Sequence, residues 1–210
     1  MIVVIGSPIG RVSDAGISAA GMSSRVALAA ARTGAAVQVV GKTGDDVTAD
    51  GVVLDLTRGG VGHVALLRDG SRPTPLEPAD DLDAAAETSP AESIHGPAID
   101  AADIDLGLRY LTAFEVVVVA EPAPPDLVTV VAEAARWSEA RMVLVVAAGS
   151  AVPESLAADV IVFEAPDADP DGVFADLVGS FAAALADGIE PGEALRASVD
   201  SDGWTEVAAD

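Results

Sequence analysis

Short apolar runs rich in β-branched residues, separated by Ala-rich stretches with helical spacing, constrain this chain more than any other feature. Ile2 to Ile5, Val37 to Val40, Val116 to Ala120, Met142 to Ala147 and Val160 to Phe163 are continuous or nearly continuous apolar runs. A strand wetted on one side alternates apolar with polar residues, so runs without that alternation belong to strands covered on both faces. Between them, Gly21 to Thr33, Val47 to Arg58, Leu127 to Trp137 and Val173 to Ala186 read as helices. Such alternation predicts a parallel sheet with helices on both sides, an α/β fold. With 210 residues, half of them hydrophobic, the chain can bury the core of one domain. Residues 1–200 are assigned to that domain and 201–210 to a tail, which Trp204 would pack against the body.

One region breaks the pattern. From Asp69 to Pro97 the chain collects Pro73, Pro75, Pro78, Pro90 and Pro97 around an acidic run at Asp80 to Asp83. It cannot continue a helix and has little to bury, so residues 70–97 read as a loop or a small excursion from the sheet.

Charge and composition exclude several functions. Against 34 acidic residues stand 11 basic ones, a formal net charge of −23, and Lys42 is the only lysine. So anionic a surface repels phosphate backbones and anionic lipid, which argues against nucleic-acid or membrane partners. The absence of cysteine removes disulfides, thiolate catalysis and Cys-bearing metal motifs. His63 and His95 lie far apart without a flanking ligand pattern and read as surface or loop residues. The start Met1-Ile2-Val3-Val4-Ile5-Gly6 lacks the basic region of a signal peptide, and no apolar stretch approaches the roughly 20 residues of a membrane span. A cytoplasmic location is expected.

Several segments carry candidate chemistry. Gly21, Ser23 and Ser24 at a helix start offer free amides and hydroxyls to an anion or a polyol, or else simply turn and cap the helix. Glu121 ends a parallel strand on the side where open α/β sheets bind ligands, although Pro122, Pro124 and Pro125 behind it also suit a polar loop. Lys42 does not belong to a phosphate loop, because Ala36 stands where that motif needs its first glycine. The Gly41 to Asp46 segment reads as a turn with Asp46 as a helix cap. The spacing of Gly6 and Gly10 does not fit a dinucleotide fingerprint.

Taken together, Gly21-Met22-Ser23-Ser24-Arg25, the helix ending at Thr33-Gly34-Ala35, and the strand leading into Gly41-Lys42-Thr43-Gly44-Asp45-Asp46 are similar to the amino-terminal signature of ribokinase-type (PfkB-family) carbohydrate kinases. That signature is a Gly-Gly-x-x-x-Asn turn, a helix ended by Arg-Leu-Gly-Ala, and a strand before Gly-x-x-Gly-x-Asp. Arg25 stands at its sugar-contacting Asn. Gly6-Ser7-Pro8-Ile9-Gly10-Arg11 resembles the family's Gly-Ser-x-x-x-Asp, with Arg11 at the Asp, and Glu121 falls where a Glu lies near the sugar. Arginine donates and never accepts, so Arg11 and Arg25 in such a pocket would suit an anionic ligand; the alternative is that they close a vacated pocket by pairing with local acids.

In the carboxyl-terminal half, Gly172-Val173-Phe174-Ala175 takes the family's Gly-Ala-Gly-Asp positions, so Gly172 is what remains of the anion hole and Ala175 replaces the catalytic base. Asp176 and Asp171 are displaced candidates for that base. Glu164 and Asp167 match the Asn-x-x-Glu linked to magnesium. Almost nothing separates Asp167 from Gly172, where family members place strands that bind adenine. The resemblance implies a ribokinase-like three-layer fold with a mostly parallel sheet, truncated and with a reduced lid. It further implies a non-catalytic relative without cofactor that binds a small anionic molecule near Arg11, Gly21, Ser24, Arg25 and Glu121 and dimerises as lid-bearing relatives do. The rival reading is an active carbohydrate or nucleoside kinase using ATP and Mg2+ with displaced residues. A third is a purely structural partner in an assembly.

Overall fold

The computed structural model describes residues 1–77, 96–111, 113–150, 156 and 160–201. The acidic run at Asp80 to Asp83, His95, Trp204 and the tail from Asp202 onward lie outside the described residues. Strand β1 (Ile2–Ile5) runs through the middle of a parallel sheet with β4 (Val37–Thr43) and β5 (Val61–Arg68) on one side. On the other side follow β6 (Val116–Val119), β7 (Arg141–Ala147) and β8 (Val160–Ala165), also parallel.

The unbroken apolar runs have the expected cause. Successive side chains of a strand point to opposite faces, and here both faces are covered. Ile2, Val4, Val116 and Val118 meet the layer of α1 (Gly21–Arg32), α2 (Val47–Arg58), α5 (Val173–Ala186) and α6 (Pro191–Ser201). Val3, Ile5, Val117 and Val119 meet α3 (Ala101–Arg109) and α4 (Pro125–Trp137). The result is the expected three-layer α/β architecture. Helices α1 and α5 approach closely because Gly179 lacks a side chain: a Cβ there would lie 2.5 Å from Ala29 Cβ and 2.7 Å from the Val26 carbonyl.

Five elements go beyond the sequence reading. Strands β2 (Ile9–Ser13) and β3 (Gly16–Ala20) form an antiparallel hairpin between β1 and α1. Its turn is Asp14-Ala15, and Gly16 supplies a φ of 112° that other residues adopt only under strain. The hairpin sits on α2, where Gly51 admits Ile17 and the Asp55 carboxylate accepts from the Ala19 amide at 2.8 Å. The described part of the Pro-rich segment runs beside it, with Gly10 donating to Pro75 at 2.9 Å and accepting from Glu77 at 2.7 Å. The small excursion from the sheet therefore begins earlier in the chain than its prolines suggest. Strand β5 and helices α3 and α6 are the other additions.

Candidate functional site

Outward from β1 the strand order proceeds in opposite directions, towards β4 and towards β6. At such a switch point the connections leave the carboxyl ends of neighbouring strands on opposite faces and open a crevice. The residues after β1 and β6 meet there. The Glu121 carboxylate accepts from the Ser7 amide, 3.2 Å to one oxygen and 3.3 Å to the other. Gly6 is required beside it, since a Cβ would lie 2.6 Å from Ser23 Cβ and 2.9 Å from Glu121 Oε1. Burial raises the Glu121 pKa above its ordinary value, and the Ser7 and Ser23 groups offset only part of that rise.

Helix α1 begins at Gly21, whose φ of 80° suits glycine, and Ala20 before it provides no side-chain cap. Ser23 and Ser24 do not act as caps either. Both are fully buried inside the helix, and their hydroxyls make no hydrogen bond of good geometry among the described residues. Ser23 faces the Glu121 carboxylate, placing a negative group at the positive end of the helix dipole.

Arg11 and Arg25 converge. They hold the two oxygens of one carboxylate, Glu77: Nε of Arg11 donates to Oε2 and Nη2 of Arg25 to Oε1 at 2.8 Å. Arg25 also donates from Nη1 to the main-chain carbonyl of Asp169 at 2.5 Å. Gly172, in the left-handed conformation at the start of α5 with a φ of 75°, lies beside this side chain; a Cβ there would make ordinary van der Waals contact with Arg25 Cδ at 3.7 Å. Three elements thus meet at Arg25: the hairpin's neighbouring segment, α1 and the entry to α5.

The start of α5 is already provided with an anion. Asp169 accepts from the Phe174 amide on one oxygen and the Ala175 amide on the other, each at 3.0 Å. These are helix-terminal donors that would otherwise be free for an external anion. The remaining candidates disperse. Asp176 pairs with Arg32 at 2.5 Å, and Arg32 lies two turns, or about 10 Å, along α1 from Arg25. Asp171, Glu164 and Asp167 are exposed, and among the described residues no cluster of three or more potential ligands could hold a metal ion. At the start of α5 the Phe174 and Ala175 amides are taken up by Asp169, and Ala175 offers no proton acceptor.

Lys42 is engaged on α3. Its ammonium pairs with Asp103 of α3 at 2.5 Å with both side chains largely buried. Asp46 caps α2 through the Ala49 amide at 2.9 Å and also accepts from the Thr74 amide at 2.7 Å. His63 lies on β5, 3.4 Å from the Thr57 hydroxyl. Sequence reasoning missed Glu77 and Asp169, the two acids that occupy the site's donors. Asp169 had a signal, an acid in an Asp-Pro-Asp-Gly turn just ahead of a helix; Glu77 had none.

No protein-family model matches the sequence, and no curated protein matches it in sequence. Among solved structures the chain is similar to Arabidopsis thaliana ribokinase complexed with ribose and ATP, with a TM-score of 0.66 and 15% identity over 96% of this chain and 90% of that one. Aminoimidazole riboside kinase from Salmonella enterica gives 0.64 and 12% over 96% and 90%. Fructokinase from Halothermothrix orenii gives 0.56 and 11% over 95% and 96%. The chain has the ribokinase-like fold, and its structural neighbours are carbohydrate kinases of the PfkB family. These alignments extend along most of each neighbour, so the fold is not clearly truncated relative to them. Among the described residues no helix is long and apolar enough to cross a membrane.

Proposed function

We propose that this chain is a non-catalytic relative of the carbohydrate kinases that binds a small anionic molecule at the carboxyl ends of β1 and β6. The observation that carries this reading is the convergence of Arg11 and Arg25 on one carboxylate, which in this chain is the internal Glu77, the pairing the pocket-closing alternative also expects. Guanidinium groups hold carboxylates through charge-assisted hydrogen bonds, about twice as strong as those they could donate to a neutral sugar hydroxyl, so an anion suits them better. Loss of phosphoryl transfer follows from α5. Transfer requires donors aimed at the developing charge and a base at the hydroxyl, whereas here the donors hold Asp169 and the base position is Ala175.

Calorimetric titration tests both halves. ATP is expected to give no magnesium-dependent heat, and a panel of malonate, citrate and inorganic phosphate is expected to include a binder whose signal disappears in the Arg11→Gln, Arg25→Gln double variant. Magnesium-dependent ATP binding would establish the active-kinase alternative instead.

A further inference from the structure

Glu77 is held as a ligand would be. Each of its carboxylate oxygens receives a hydrogen bond from a different guanidinium, one on β2 and one on α1. Arg25 keeps its place independently, because Nη1 is fastened to the Asp169 carbonyl at 2.5 Å. Main-chain bonds between Gly10 and the Pro75 to Glu77 segment hold the backbone at 2.9 and 2.7 Å. The Glu77 side chain, 23% exposed, can therefore rotate out while the Arg25 guanidinium and its own backbone stay in position.

Resting on the anion-binding reading above, we propose that Glu77 is a built-in competitor and that the ligand is a small carboxylate, which enters by exchange with the Glu77 side chain. Charge decides between anion classes. A monocarboxylate that replaces Glu77 on the two arginines leaves the local charge of the site unchanged. A phosphate dianion would add negative charge near Asp169, in a chain already at −23. The planar two-oxygen anion also matches the present arrangement, one donor to each oxygen. Binding in the intact chain is then weakened by the effective concentration of the tethered competitor, which is on the order of millimolar or more for a short tether.

Glu77→Ala, with Glu77→Gln as the shape-conserving variant should the first not fold, separates these ideas when titrated with acetate and with inorganic phosphate. Acetate is expected to raise the melting temperature of either variant more than that of the wild-type chain, with at least a tenfold lower dissociation constant by calorimetry. The response should vanish when Arg25→Gln is added. Equal acetate responses in wild type and variants would overturn the competitor, and phosphate acting at lower concentration than acetate would overturn the carboxylate class. If the variants bind acetate while the wild type binds none of the anion panel at any concentration, the competitor stands and the anion-binding function falls. If the wild type binds an anion that the variants bind no more tightly, the function stands and the exchange falls.

Discussion

Within the crevice a single residue, Glu121, records the cost of placing a carboxylate at a sheet switch point. Burial raises its pKa, so the folded chain holds this proton more tightly than the unfolded chain does. The sign of the linkage follows: between the unfolded and folded pKa values the native state binds more protons, and stability falls as pH rises through that window. Above it, the ionised carboxylate is a standing destabilisation. Glu121→Gln should therefore flatten the decline in stability from the ordinary carboxylate range toward neutral pH, measured as denaturant midpoint against pH and taken as the difference from wild type. A variant curve parallel to wild type throughout would show that the Ser7 and Ser23 groups compensate the burial fully. The two arginines were legible as a pair of donor-only side chains in one pocket. Their partner was not, because Glu77 lies 66 residues from Arg11 in sequence and only the closure of the Pro-rich segment onto β2 brings it there.

Among the elements, the strands and helices with unbroken patterns were legible and the mixed ones were not. Helix α5 could be read from its run of apolar residues, since nearly every face of it is buried. Strand β5, by contrast, is an edge strand that shows Val64 to solvent and carries Gly62 and His63, so its pattern matches neither template. The β2–β3 hairpin is five residues a side with Arg11, Val12 and Ser13 exposed, and its contact with α2 is tertiary information. The fit of α1 against α5 supplies a prediction at this scale. Gly179→Leu places side-chain atoms where Ala29 and the α1 backbone already stand, and overpacking of this kind costs about 1–3 kcal/mol. Chemical denaturation should show that loss; an unchanged midpoint would mean that the two helices separate freely.

For the molecule as a whole, the fold was legible because parallel-sheet topology follows from the order of its elements, whereas the fate of the site depended on which acids fold back onto which donors. Donors at Arg25, at the start of α5 and beside Ser7 each hold an internal carboxylate: Glu77, Asp169 and Glu121. That economy of positive charge fits a chain with 11 basic residues against 34 acidic ones. Repulsion among the surplus acids opposes compactness, and it is screened over about 10 Å at 0.1 M salt and about 3 Å at 1 M. The melting temperature should accordingly rise when sodium chloride is increased across that range, as followed by circular dichroism. A flat or falling response would show that the surface charge is already balanced by its local arrangement.

The burial of Lys42 against Asp103 reaches beyond the fold. Apart from the α-amino group, every amine-directed chemistry has this one side chain as its target, and it is 13% exposed and engaged in tying the sheet to α3. Amine-reactive dyes, lysine cross-linkers and enzymatic acyl or isopeptide tagging must first break that tie. The folded chain is thereby almost invisible to lysine chemistry, and a lysine label, once attached, reports a molecule that has opened between β4 and α3.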